Sequence, residues 1–163
     1  VKRIKNSTIM NPFSGRPIDV TYDFRRDASG SIIRDEKTGE PLYPVTTPQT
    51  TALVIRTLIS NLPAKDATMD DSHKALRILD ALRPFKLLEA IDPEHVAPPV
   101  IILEDAEYDW LVAKYKAVGA QVAGVAFAAV YLKAIEDVVV KAEPSGETPK
   151  NEKRGKILSG AGI

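Results

Sequence analysis

Residues 117–132 read AVGAQVAGVAFAAVYL, sixteen positions with one polar side chain, Gln121. At helical spacing Ala120, Gly124 and Ala128 fall at i, i+4 and i+8, on one face. Small side chains on such a face let a second backbone approach closely. The run is shorter than the ~20 residues of a membrane-spanning helix. Lys114, Lys116, Lys133, Glu136 and Asp137 flank it. It reads as a helix covered by protein over most of its surface. A mostly helical body is expected around it, built for packing or assembly.

Immediately upstream, Tyr108, Leu111, Val112, Tyr115 and Val118 recur at helical spacing. Glu104 or Asp105 opens that helix, where negative charge suits the positive end of the dipole. Gly119 either ends that helix or is tolerated within a continuous helix reaching Lys141; a break or bend near Gly119 is the favoured expectation, with a long apolar helix after it. Residues 100–103 (VIIL) read as a short strand or buried extended piece. Residues 92–99, with three prolines, form a connector, and residues 85–91 (FKLLEAI) a short apolar segment. Ala75, Leu76, Ile78, Leu79 and Leu82 mark a helix that starts around residues 69–72, with Asp70 and Asp71 in its first turn, and ends before Pro84. An earlier helix takes Thr47 as N-cap and Pro48 at its first position. It runs through Leu53, Val54, Ile55, Leu58 and Ile59 and stops near Leu62 and Pro63.

Residues 18–25 follow a different period. Ile18, Val20, Tyr22 and Phe24 alternate with Asp19, Thr21, Asp23 and Arg25, the pattern of a strand with one apolar face. Asp27 to Gly30 and Asp35 to Gly39 are turn signals. Residues 31–34 are expected to return as the partner strand, and Pro41 and Pro44 confine residues 40–45 to an edge or to irregular pairing. Such a hairpin or three-stranded meander is marginal alone and must lean on the helices or on a neighbour. Residues 1–17 are polar and irregular. From Glu143 onward proline, glycine and charge replace the apolar pattern, the composition of a segment that cannot bury enough surface to order itself. The expected fold is α+β, mostly α. It has an extended N-terminal arm (1–17) and one globular domain (18–142) with a β-hairpin or small meander (18–45) and a compact bundle of four to five helices (47–142). An extended or flexible C-terminal tail (143–163) completes it.

The 163 residues contain no cysteine, which excludes disulfides, thiol catalysis and cysteine-held metals. His73 and His95 stand 22 positions apart without metal-ligand spacing. The acidic group Glu104, Asp105, Glu107 and Asp109 lacks the glycine and alternating ligands of a calcium loop, and its place at a helix start explains it. No phosphate-cradling GxxxxGK[ST] or GxSxG elbow occurs. No catalytic residue, metal or cofactor is predicted. Trp110, with Lys114 at i+4, sits at the edge of an apolar helix face, where it either anchors a partner or caps the core. Net charge is zero, yet residues 1–5 carry +3 and residues 150–156 also +3, leaving the remainder at −6. Lys2, Arg3, Lys5, Lys153, Arg154 and Lys156 either keep the ends solvated or contact phosphates. The alternative function is therefore a DNA-binding regulator using the helices of residues 48–83, with His73, Lys74, Arg77 and Arg83 on the second helix.

The order of parts also bears a likeness. A turn-bearing leader, FRRDASGSIIRDEKTGEP, precedes TTPQTTALVIRTLI, then SHKALRILDAL, then ILEDAEYDWLVAKYKAVGAQVAGVAFAAVYLKAIED. Over residues 20–140 this resembles small accessory proteins of tailed bacteriophages and prophages, which share DxxGxP-like turns in the leader and a similar run of helices. The resemblance implies a non-enzymatic viral protein of assembly or of the particle itself, located in the virion or host cytoplasm. Its partners would be other protein chains, either copies of itself or virion proteins, with no membrane involved.

Overall fold

The structure, a computed structural model, describes residues 1–88 and 94–140. Its elements run β1 (Lys2–Lys5), β2 (Asp19–Phe24), β3 (Pro44–Pro48), α1 (Thr51–Asn61), α2 (Met69–Leu82), β4 (Val100–Leu103), α3 (Asp105–Ala123) and α4 (Val125–Ile135). Four helices and two small antiparallel sheets make it α+β, mostly α, among the described residues.

The centre is α1, whose Thr51, Ala52, Leu53, Val54, Ile55 and Leu58 are all buried. Its N-cap is Thr50, whose hydroxyl accepts from the Leu53 N–H at 3.4 Å, and not Thr47. Thr47 and Pro48 are taken by β3, where Thr47 pairs with Val20 and Pro48 with Asp19. Around α1 the core gathers Ile78, Leu82, Phe85, Leu111, Tyr115 and Ile135. α2 starts as expected: Thr68 and Asp71 cap each other's backbone N–H groups in a capping box. Pro84 follows the helix within a short 3-10 turn, Arg83–Phe85.

Residues 1–10 run extended and are stitched into the body. β1 pairs with β4 on one side. On the other, the Lys5 N–H donates to the Asp137 carbonyl at 2.9 Å and the Val139 N–H to the Arg3 carbonyl at 2.7 Å. Residues 2–5 thus lie between two chain segments, and Ile4 and Ile101 are fully buried. Ile9, also buried, joins the same core.

The helix break falls at Gly124 and not at Gly119. Gly124 holds φ 81° and ψ 158°, a region essentially restricted to glycine, and it separates α3 from α4. Gly119 stays helical, pressed beneath the Tyr115 ring: a Cβ there would stand 2.6 Å from a ring carbon. α4 ends at Ile135, short of the expected Lys141.

β2 shows the expected alternation, with Val20, Tyr22 and Phe24 half-buried and Asp19, Thr21 and Asp23 exposed. Its partner is β3, while residues 31–34 make only isolated bridges, Arg26 to Ile32 and Arg34 to Pro41. The two intervening turns are built alike. Asp27 Oδ1 accepts from the N–H groups of Ser29 and Ser31, and Asp35 Oδ1 from those of Lys37 and Thr38. The Arg26 guanidinium donates to the Gly30 carbonyl at 3.1 Å and that of Arg34 to the Gly39 carbonyl at 2.9 Å. None of residues 19–48 enters the core, so the meander does not lean on the helices through buried side chains. The tail, residues 143–163, lies outside the described residues.

Candidate functional site

α4 reads VAFAAVYLKAI, with Lys133 its only charged residue. One side faces the core through Ala128, Val130, Tyr131, Leu132, Ala134 and Ile135. A helix apolar all round would be wrapped on every side, but this one is not. Val125 is 84% exposed, and Ala126 and Ala129 are exposed with it.

A second element brings an aromatic ring to this helix. Asn11 Oδ1 accepts from the Phe13 N–H at 2.8 Å, and the Gly15 N–H donates to the Asn11 carbonyl at 2.9 Å. Gly15 takes a positive φ of 67°, and Met10 bridges to Pro17 to close the turn. Phe13 sits on the tip, 79% exposed. Its ring centroid lies 6.0 Å from that of Phe127, which lies 6.0 Å from that of Tyr131. Between residues 7–10 and α4 runs an open groove of about 850 Å³, lined by Ile9, Met10, Ala129, Val130 and Lys133 among others. Met10, Phe13, Val125, Ala126 and Ala129 are exposed on this side, and Glu136 and Asp137 line the same groove beyond Lys133.

Ala120, Gly124 and Ala128 do not form the stripe expected of them. The turn at Gly124 takes α4 off the axis of α3, leaving Ala120 and Gly124 exposed while Ala128 packs towards the core. Trp110 is engaged within the chain: its Nε1 donates to Asp71 Oδ1 at 2.7 Å. It closes the edge of the core. Spacing alone does not show the loss of the stripe, because helical periodicity presumes one axis through Gly124. The outward Ala126 and Ala129 belong to the apolar run of residues 117–132, in which no local signal marks the open side.

Among the basic candidates, Lys2 stands over the Tyr108 ring at 5.8 Å, Arg3 is half-buried in β1, and Lys5 is exposed. Lys153, Arg154 and Lys156 lie outside the described residues. Each basic group of α2 and its end meets a carboxylate: Lys74 with Asp70 at 2.7 Å, Arg77 with Glu107 at 3.1 Å and Arg83 with Asp80 at 2.8 Å. His73 is exposed.

The four acidic residues at the start of α3 diverge. Glu104 occupies the N-cap position and Asp105 and Glu107 the first turn, with Glu107 buried against Arg77. Among the described residues no group of three or more His, Asp or Glu is placed to hold a metal. No helix among them is long and apolar enough to cross a membrane. Comparison with protein families, curated proteins and solved structures gives no match for this chain.

Proposed function

We propose that this chain is a non-enzymatic assembly protein that works by burying the outer face of α4 against another copy of itself. The phage-like order of its parts makes a viral particle the setting of that assembly. One observation carries the reading: Val125, Ala126 and Ala129 form an apolar surface of α4 that the described residues leave open, and Phe13, also exposed, packs on Phe127 of the same helix. Water-facing apolar patches with this character mark contact sites on soluble proteins. Self-pairing is favoured because α4 bears a single charge, so two copies related by a two-fold axis meet little like-charge repulsion.

Sedimentation velocity tests it. The wild type is expected to associate with rising concentration. Val125→Asp, and separately Ala126→Asp, should leave the helical circular dichroism unchanged and return the species to monomer, because a carboxylate buried without a partner is costly. A wild type that stays monomeric at every concentration, with sedimentation identical to that of both variants, refutes the proposal.

A further inference from the structure

Residues 7–10 carry an unpaired strand edge. Thr8 bridges to Thr50 and Met10 to Pro17, but the hydrogen bonds of both bridges are made by the flanking residues. The Ile9 N–H donates to the Gln49 carbonyl at 2.8 Å and the Thr51 N–H to the Ser7 carbonyl at 3.0 Å. The Asn11 N–H donates to the Arg16 carbonyl at 2.7 Å and the Ile18 N–H to the Ile9 carbonyl at 3.2 Å. Successive residues of a strand turn their backbone polar groups to opposite edges. The N–H and C=O groups of Thr8 and Met10 therefore face away from Thr50 and Pro17, and none of them is hydrogen-bonded among the described residues. The edge they face is the one that β4 fills earlier in the strand, ending where the Asn6 N–H donates to the Pro99 carbonyl at 2.9 Å.

Native sheets protect an open edge with charge, with proline or with a covering segment. Ser7, Thr8, Ile9 and Met10 include neither a charge nor a proline, and Met10 is 49% exposed. Thr8 and Met10 line the open groove beside α4, and free N–H and C=O groups along a groove take up an extended strand. Two relationships select which strand. Residues 8–10 laid antiparallel on residues 8–10 of a second copy satisfy all four free groups, and a two-fold axis generates that pairing. The edge is also continuous with the open face of α4. The Lys5 N–H bonds the Asp137 carbonyl beyond the end of the helix, and Phe13 meets Phe127 near its start, so α4 runs alongside residues 5–13 in the opposite direction. Ala129 belongs both to the groove and to the exposed face.

We propose that residues 7–10 pair edge to edge with the same residues of a second copy, with the two-fold axis at Ile9. The Thr8 N–H donates to the carbonyl of the partner's Met10, and the Thr8 carbonyl accepts from the N–H of the partner's Met10. The axis repeats both bonds. This inference rests on the reading of α4 as a self-association face and gives that contact a main-chain register. It sets the two copies of α4 near one axis, where their small side chains permit close approach.

The chain has no cysteine, so introduced ones report the register directly. Thr8 and the partner's Met10 would stand opposite each other, about 5.5 Å apart between Cα atoms in a hydrogen-bonded antiparallel pair, within disulfide range. Thr8 and the partner's Thr8 would be offset by two residues and lie beyond the bridging limit of about 7 Å. Oxidation of an equal mixture of Thr8→Cys and Met10→Cys chains is therefore expected to give a mixed disulfide dimer, and oxidation of either variant alone to give none. In the full wild-type chain, hydrogen exchange of the Thr8 and Met10 amides should slow with rising concentration, in proportion to the associated fraction. That measurement stands as the test if the cysteine variants do not fold. Association in sedimentation without the mixed disulfide overturns the strand pairing and leaves the α4 face as the contact. Disulfide dimers formed as readily by either variant alone overturn it too, as does exchange at Thr8 and Met10 that is independent of concentration while the chain associates. A chain that stays monomeric overturns both readings.

Discussion

The Trp110 indole N–H donates to Asp71 Oδ1 at 2.7 Å, joining α3 to the first turn of α2. The other oxygen of the same carboxylate accepts from the Thr68 backbone N–H at 2.9 Å and from its hydroxyl at 3.1 Å. Lys114 Nζ stands 3.4 Å from Oδ1 and 5.9 Å from the centroid of the Trp110 ring. One carboxylate thus caps its own helix and clasps the next. The Thr68 backbone N–H, with Trp110 second, holds the Asp71 carboxyl well below the usual carboxylate range.

This depression has a signature in pH. With its folded value below the unfolded value of about 3.9, Asp71 stabilises the fold above that pH, and its contribution fades as pH falls through the folded value. The gap in urea midpoint between wild type and Asp71→Asn is therefore expected to be level from about pH 5 to about pH 8 and to narrow below about pH 4. Trp110→Phe, which removes only one of the donors, should show a smaller gap with the same shape. A gap that stays constant down to about pH 2 contradicts the assignment.

The two glycines of α3 and its end should fail differently. Gly119→Ala gains about 1 kcal/mol of helix propensity but drives a methyl into the buried Tyr115 ring, and overpacking costs about 1–3 kcal/mol. Net destabilisation is expected, and it should be relieved in the Tyr115→Ala background. Gly124→Ala meets open space, yet must hold a backbone conformation worth about 1–3 kcal/mol of strain. Its cost should simply add to that of Tyr115→Ala. Urea denaturation of the single and double variants separates the two, and additivity at Gly119 would contradict the steric account.

These glycines mark where sequence reading stopped. Local signals were legible: Asp70 and Asp71 at the start of α2, the acids at the start of α3, and the alternation of Val20, Tyr22 and Phe24. The strand at residues 100–103 was one of two readings of VIIL. The pairing of β1 with β4 was not legible, since Ile4 stands alone among Lys2, Arg3 and Lys5 and finds Ile101 only after the meander and two helices. Thr47 and Thr50 are both sound N-caps, and only strand pairing to Val20 decides between them. Apolar composition in residues 117–132 does not say which side is covered, because that depends on how sharply Gly124 turns the chain.

The meander between β2 and β3 is expected to be dispensable for folding of the body. None of residues 19–48 joins the core, and both turns inside it are satisfied by their own Asp and Arg side chains. Replacing residues 25–43 by Asn-Gly, which suits a two-residue hairpin, should retain the helical circular dichroism. Tm is expected to move by less than about 4 °C, or roughly 1 kcal/mol for a chain of this size. Loss of cooperative unfolding in this variant would show that the meander braces the helices after all.

Glu107 on α3 is buried while its partner Arg77 on α2 reaches solvent, with Oε1 accepting from the guanidinium at 3.1 Å. Its Oε2 has no hydrogen-bond partner among the described residues. Removing one member of a wholly buried pair costs about 3–5 kcal/mol. Solvent around Arg77 screens this pair, so Arg77→Ala is expected to cost about 1–2 kcal/mol. Replacing both members by apolar residues removes the buried charge itself. Arg77→Met with Glu107→Leu should therefore equal or exceed the wild type in stability. A double-mutant cycle in urea measures this directly. A double variant weaker than either single one would mean that the carboxylate is needed for its own contacts and not merely tolerated beside Arg77.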